Sequence, residues 1–504
     1  MTTPGNRVLL LFGNQLFDPE LLRARWAGSA PRELIVVMVE DEAFCRRFSY
    51  HRQKLTLVLA AMRSQADGLR AAGFRVHYRT LEEGATWRSA LDDLQRQMGF
   101  DTLCHFEVES PGLTTALAGY AQRRGLKLQV QRTPMFLDSL RDFAAHLDDH
   151  GAPQLSVFYR QQRLRHRILL TSAGEPVGGR WSLDQENRAK LPKDLKPLEP
   201  ALPTETRHVR EVKALVAERF VDHPGALDSF WLPTTHQQAR DWFDGFLESR
   251  FRHFGRFEDA LTRRSAFVYH SALAPLLNVG LLTPDVVLDR ALDYAARNDV
   301  PLNSLEGFVR QILGWREFVR GVFHHYYQPL QTRNIWNGDR KLTQAWYTGN
   351  TGIGPMDHVI RKTLRLGWAH HTERLMLAAN LMNLAGVHPQ QVYGWFMEMF
   401  VDAYDWVMAP NVFGMGLTSE GGIFTTKPYI CGSNYVMKMG DFKRGEWCDV
   451  MDGLLWRFVA HHEQTLKANQ RLAPMVANLP RVARRRPEIF SLAEEFIETN
   501  TRAA

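Results

Sequence analysis

The spacing of hydrophobic positions changes about a third of the way along the chain. Over the first 140 residues, short apolar or β-branched runs (RVLLLFG, ELIVVMVE, RVHYRTL, DTLCHFEVE, LKLQVQRT) alternate with amphipathic stretches, one of them near residues 51–72. Strands separated by helices of this length predict a parallel sheet covered on both faces, a doubly wound α/β domain over residues 1–140. Ligands on such sheets sit beyond the carboxyl ends of the strands, which points to residues 12–16 and 40–42 and, within them, Asn14, Gln15 and Glu40. No GxGxxG follows the first run, so Asn14 and Gln15 read equally well as a plain strand-to-helix turn.

From 141 to 210 the periodicity weakens among Pro, Gly and charge clusters such as AGEPVGGRW and KLPKDLKPLEPALP, the composition of a long interdomain linker. Residues 211–504 then show apolar positions every three to four residues, with helices expected over 237–250, 305–323, 356–385 and 391–407 and no internal repeat. The fold class is therefore α/β plus all-α.

Three polar groups interrupt the apolar stripes of these helices. Over 356–385 the stripe runs Leu364, Trp368, His371, Leu375, Ala378 and Met382, which predicts a buried His371 that is either a satisfied core residue or a proton donor. Over 305–323, Gln311 falls beside Phe308, Ile312, Trp315 and Val319, and a buried amide needs a partner. Over 391–407, Asp402 shares a stripe with Val392, Trp395, Met399 and Trp406, where an unpaired carboxylate is costly; a core salt bridge to Arg316 is one solution. A break in helix is expected at 409–414. Tyr429 and Tyr435 follow a Gly-rich approach and suit either packing or hydrogen bonding. Polar groups set in aromatic helical surroundings are the lining expected for a planar cofactor with a few directional contacts.

Composition narrows the class without deciding it. The 504 residues exceed the size of one core, and the net charge of +7 from 62 basic and 55 acidic residues is compatible with a polyanionic partner. The four cysteines, Cys45, Cys104, Cys431 and Cys448, contain no CxxC pair, so no zinc site or disulfide framework is specified. No secretory signal pattern and no run long enough to span a membrane is present, and a cytoplasmic location is expected.

The segments GEPVGGRWSLDQENR, HSALAPLLNVGLLTP, RQILGWREFVRG, HHTERLM, DAYDWVMAPNVFGM and TKPYICGSNYVMKM, in this order, resemble the prokaryotic (6-4) photolyases of the cryptochrome and photolyase superfamily. The resemblance implies an antenna-binding α/β domain, a linker and a helical domain that binds FAD. It implies light-driven electron donation from reduced FAD to a pyrimidine (6-4) pyrimidone lesion flipped out of DNA. By position, His371 matches a proton-donating histidine beside the lesion, Tyr429 and Tyr435 match tyrosines of the lesion pocket, and Gln311 a glutamine near both flavin and lesion. His270, Ser271, Leu273 and Arg316 match flavin-cradling positions, Asp402 and Asn411 contacts of the flavin ring, and Trp395 a link in the electron-transfer chain. Phe396 stands where a tyrosine is usual.

Three departures accompany the resemblance. Pro355, Lys443 and Glu446 replace cysteines of the family's iron–sulfur cluster, and with only Cys448 nearby no cluster is expected. Met408 stands for a glutamate facing the flavin, and a thioether neither accepts nor delivers a proton. Asn14 replaces the acidic residue of the family's antenna motif, which weakens the expectation of a 6,7-dimethyl-8-ribityllumazine antenna. UV-damaged DNA is the expected partner of a monomer, with RKTLRLGWAHHTER and FYRQQRLRHR offering phosphate contacts. The rival expectation is a sensory cryptochrome that shares the fold and FAD and repairs nothing.

Overall fold

The structure is a computed structural model and describes residues 7–27, 33–425 and 428–503; Lys427 of the TKPYICGSNYVMKM segment lies outside the described residues. The five apolar runs form β1 (Arg7–Leu11), β2 (Leu34–Val39), β3 (Arg75–Arg79), β4 (Thr102–Phe106) and β5 (Lys127–Gln131). They make one parallel sheet in the order β3-β2-β1-β4-β5. β2 and β4 are buried at every position because helices cover both faces, whereas the edge strands β3 and β5 are exposed or half-buried along their length. On one face Val8, Leu10, Ile35, Val37 and Leu103 pack with residues of the helices Trp87–Met98 and Pro111–Arg124. This is the expected doubly wound domain.

The chain reverses its winding between β1 and β4, and Gln15 sits at that switch point: its Nε2 donates to the Glu107 carbonyl just beyond β4 at 2.9 Å. Its Oε1 is buried without a hydrogen bond among the described residues. Asn14 beside it is half-buried. Glu40 is otherwise employed. Its carboxylate accepts from Arg63 at 2.7 and 3.1 Å, from the Tyr78 hydroxyl at 2.7 Å and from the Leu81 amide at 2.8 Å, so it serves as a buried counter-ion at the end of β2.

The described residues of 1–139, 201–245 and 272–293 form one compact unit, and those of 140–200, 246–271 and 294–504 form the other. These divisions cross the sequence-based boundaries at 140 and 210. The stretch read as linker opens with two helices, Leu140–His150 and Leu155–His166, before becoming irregular. Leu273 belongs to the first unit, buried at the N-cap of the helix Ala274–Val279.

In the second, helical unit the long helices expected from periodicity are interrupted, and the interruptions matter. The run 356–385 is two segments. Helix Gly354–Leu366 ends at Gly367, which adopts a left-handed φ of 61°, and a new helical stretch with a π-helical turn at Glu373–Ala379 follows. The run 391–407 is likewise split, into Pro389–Met399 and Asp405–Ala409. Conversely, the break expected at 409–414 is helical: Pro410–Gly416 forms a π-helical turn that continues the preceding helix, with its proline at the start where no amide hydrogen is needed. A third π-helical turn, Arg310–Arg316, lies within 305–323.

Candidate active site

The breaks in the runs 356–385 and 391–407 meet. The Val401 amide donates to the Gly367 carbonyl at 2.9 Å, and Arg374 reaches from one break to the other, with Nε on the Ala369 carbonyl at 2.7 Å and its two terminal nitrogens on the Asp402 carboxylate at 2.9 and 3.0 Å. The partner of Asp402 is thus Arg374, while Arg316 stacks its guanidinium over Trp406 at 4.8 Å. Asp402 lies in the irregular segment between helices, not on a stripe with Trp395; a bidentate pair offsets the cost of burying its charge.

The helix break also corrects the placement of His371. Continuous periodicity put it among core residues, but once the helix stops at Gly367 the phase is lost. His370 becomes the buried histidine, and His371 opens the next segment with 48% of its side chain accessible. His371 Nε2 bonds to Asp259 Oδ1 at 2.8 Å, and the Thr372 hydroxyl donates to the same oxygen at 3.2 Å. Desolvation by surrounding protein is the largest influence on His371 and pulls its pKa down, yet the Asp259 bond, the Asp259 charge and the Glu258 charge outweigh it, and the net shift is upward. Burial acts to raise the pKa of Asp259, but His371 and Thr372 bring it down to about 2. The pair is an ion pair at neutral pH.

Two more histidines stand beside it in the opposite state. His270 stacks on His370 with ring centroids 5.0 Å apart and lies edge-on to His371 at 5.8 Å. Burial and the neighbouring imidazoles hold His270 well below the ordinary range, and burial with Lys362 and His371 does the same to His370, so both are neutral. The proton of this cluster resides on His371.

The other predicted site residues divide into two groups. Gln311 Nε2 donates to Glu258 Oε1 at 2.7 Å, and Asn187 Nδ2 donates to the second oxygen of the same buried carboxylate at 2.9 Å. Burial raises the Glu258 pKa, opposed by Arg310 and His371. Tyr429 is 40% accessible and Tyr435 half-buried at the start of the helix Ser433–Met439. Desolvation raises both phenol pKa values, with Asp184 foremost among the charges acting on Tyr429 and Asp259 on Tyr435. His371, Asp259, Glu258, Gln311, Tyr429 and Tyr435 therefore surround one water-accessible recess.

The second group is drier. Trp395 is fully buried, donates Nε1 to the Trp346 carbonyl at 2.9 Å and meets Phe396 edge-on at 5.3 Å. Met408 is buried, and Asn411 in the π-helical turn donates to the Val407 carbonyl at 2.7 Å. His270 Nε2 is buried with no hydrogen bond among the described residues, between Phe254 and Trp368. An aromatic cradle holding one unused polar atom fits a planar cofactor. Ser271 is half-buried next to it. The carboxylates Asp259 and Glu258 were not singled out from the sequence; the adjacent pair within FEDALTRR was the available signal, but no spacing rule connects it to a histidine 112 residues away.

Residues 308–448 match the family model for the FAD binding domain of DNA photolyase, and residues 9–232 match that for deoxyribodipyrimidine photo-lyase-related proteins. The chain is 31% identical over 492 residues to a (6-4) photolyase of Agrobacterium fabrum, covering 95% of this chain and 96% of that one. The protein belongs to the photolyase/cryptochrome family. Among solved structures, this family member resembles a bacterial class III photolyase from Agrobacterium tumefaciens, with a TM-score of 0.59 at 17% identity over 98% of this chain and 99% of that one. It also resembles the cryptochrome of Synechocystis sp. PCC6803, with a TM-score of 0.57 at 15% identity over 97% of this chain and 92% of that one. The helical unit of this photolyase/cryptochrome protein thus carries the family's FAD-binding domain, and its recess opens beside that domain's conserved type of aromatic cradle.

Proposed function

We propose that this protein is a light-driven DNA repair enzyme that acts on pyrimidine (6-4) pyrimidone photoproducts. The observation that carries the reading is the His371–Asp259 ion pair facing a recess flanked by Tyr429 and Tyr435. Reduced FAD, when bound, supplies the light-driven electron. The chain's own residues do the rest: His270, Arg316, Asp402 and Asn411 border the cofactor, while Trp395 supplies electrons to it from the protein. In the recess Asp259 occupies Nε2 of His371, which leaves the Nδ1 proton of the imidazolium to be delivered to the oxygen substituent of the lesion as it returns to its original base. Gln311, oriented by Glu258, and the two phenols offer hydrogen bonds to the bases. Accessible tyrosines at such a position also stack on a base that has left the helix, and a damaged, poorly stacked base costs least to extrude.

Two features belong to the same proposal. The donor set around Pro355, Lys443 and Glu446 does not fit an iron–sulfur cluster: cubane ligation needs thiolates, and Cys448 there is buried with its Sγ 4.0 Å from Met437 Sδ. The switch point of the sheet, with the unused Gln15 Oε1 and Asn14, suits a lumazine antenna held by amide hydrogen bonds. The protein acts as a monomer in the cytoplasm; among the described residues no helix is long and apolar enough to cross a membrane.

The alternative, a photoreceptor without repair, draws on Met408, a buried thioether where the resemblance expects an acid. A sensor, however, has no use for a protonated histidine in a water-accessible recess. The deciding experiment illuminates reduced, flavin-loaded protein with an oligonucleotide containing a (6-4) photoproduct, with a cyclobutane dimer as control. Restoration of the (6-4) bases and little action on the dimer supports the proposal; no restoration with flavin bound and reduced refutes it.

A further inference from the structure

The helix Gly354–Leu366 presents Gly354, Pro355, His358, Arg361, Lys362 and Arg365 along one face, and this face lines a cavity of about 660 Å³. The opposite wall is Arg263, Ser265, Phe442, Lys443 and Trp447. Five lining side chains are cations and none is a carboxylate. Only two carboxylates from outside neutralise them: Glu373 pairs with Lys362, and Asp441 lies 3.7 Å from Arg263. The positive end of the helix adds to the field, since its first turn opens onto the cavity through Gly354 and Pro355 and Ile353 at the N-cap provides no side-chain cap. An enclosed, water-accessible excess of positive charge on this scale selects an anion.

Its wall is also joined to the recess. Glu373, the partner of Lys362, accepts the His370 backbone N–H at 3.1 Å, and His370 precedes His371. A nucleic acid strand whose displaced base reaches His371 therefore runs past a basic cavity one helix break away. We infer that this cavity is a phosphate-binding site, and that the phosphate it takes is a phosphodiester of the DNA strand flanking the base held at His371. The inference rests on the repair reading for the position of the strand, and on the cavity alone for its ligand chemistry. Two residues that exclude a thiolate cluster, Pro355 and Lys443, line it, so the positions that lack cysteine have a character suited to DNA.

The test compares flavin-loaded wild type with Lys443→Glu and Lys443→Glu/Arg365→Glu for binding to damaged and undamaged duplex across a salt series. Arg484→Glu, an exposed arginine outside the cavity, is the control for long-range charge. Flavin content and thermal melting confirm that each variant is folded. The expected result is weaker binding to both duplexes by the same factor, and a salt-dependence slope reduced by about 1 for each cation removed, with the control unchanged. An unchanged slope in the cavity variants, or an equal loss in Arg484→Glu, overturns the inference. Calorimetric titration with inorganic phosphate provides a separate arm: binding that the variants lose while their DNA slope stays at the wild-type value assigns the cavity to a free anion and overturns the DNA assignment. A reduced slope in a protein that repairs no (6-4) lesion leaves the cavity assignment standing and removes the repair reading. Normal repair with an unchanged slope does the reverse.

Discussion

His371 shows how much one side chain's role depends on its partner. The imidazole alone would lose its proton to desolvation; Asp259 reverses the sign. His371 has a folded pKa above its ordinary value of 6.5, so its contribution to stability is complete below that value and lost as pH rises through the folded pKa. Asp259 has a folded pKa of about 2 against 3.8, so its contribution is present above the ordinary value and lost as pH falls toward 2. The pair is intact between these limits, and light-driven repair should decline on the alkaline side as His371 deprotonates. Asp259→Asn removes the opposing influence and leaves desolvation in command. The pH profile of repair should then move to lower pH, with flavin content unchanged, and a profile that stays in place would show that Asp259 does not hold the proton. Glu40 makes the corresponding point in the sheet unit. Glu40→Ala strands Arg63 and Tyr78 among buried groups and should cost about 3–5 kcal/mol, read as a lower urea midpoint.

The helices and strands were legible to different degrees. All five strands were readable because buried parallel strands are continuous apolar runs bounded by turns, and β2, LIVVMV, is the clearest. Helix content in the second unit was readable for the same kind of reason, but its continuity was not. Gly367 looks like any tolerated helical glycine until its left-handed φ is seen, and π-helical turns leave no periodic trace because one inserted residue per turn only shifts the phase. These were the places where His371 and Asp402 were assigned to the wrong surroundings, and they are where the site is built. Partners brought together by such breaks, such as Arg374 with Asp402 and His371 with Asp259, lie 28 and 112 residues apart and follow from no local pattern. Gly367→Ala forces a Cβ into the left-handed region and should cost about 1–2 kcal/mol, with a correspondingly lower melting temperature. Because the same residue ends the helix before His370, repair should fall in this variant by more than the fraction unfolded.

Taken as one molecule, the protein joins a recognisable frame to an altered set of fittings. The parallel sheet, the helical FAD-binding domain and the likeness to a (6-4) photolyase over nearly the whole chain establish the family. The departures at Pro355, Lys443, Glu446 and Met408 alter what surrounds the flavin and leave the residues of the recess in place. Protein purified without oxygen should therefore contain flavin but no stoichiometric iron or acid-labile sulfide; finding both at four per chain would contradict the cluster-free reading. The repair reaction itself is best put to the test by illuminating reduced wild-type protein and His371→Ala side by side with a (6-4) oligonucleotide and counting restored thymines. The prediction is light-dependent restoration by wild type and none above background by His371→Ala, with equal FAD content and melting temperature in both. Equal restoration by the two proteins, or none by a fully reduced, flavin-loaded wild type, would contradict it.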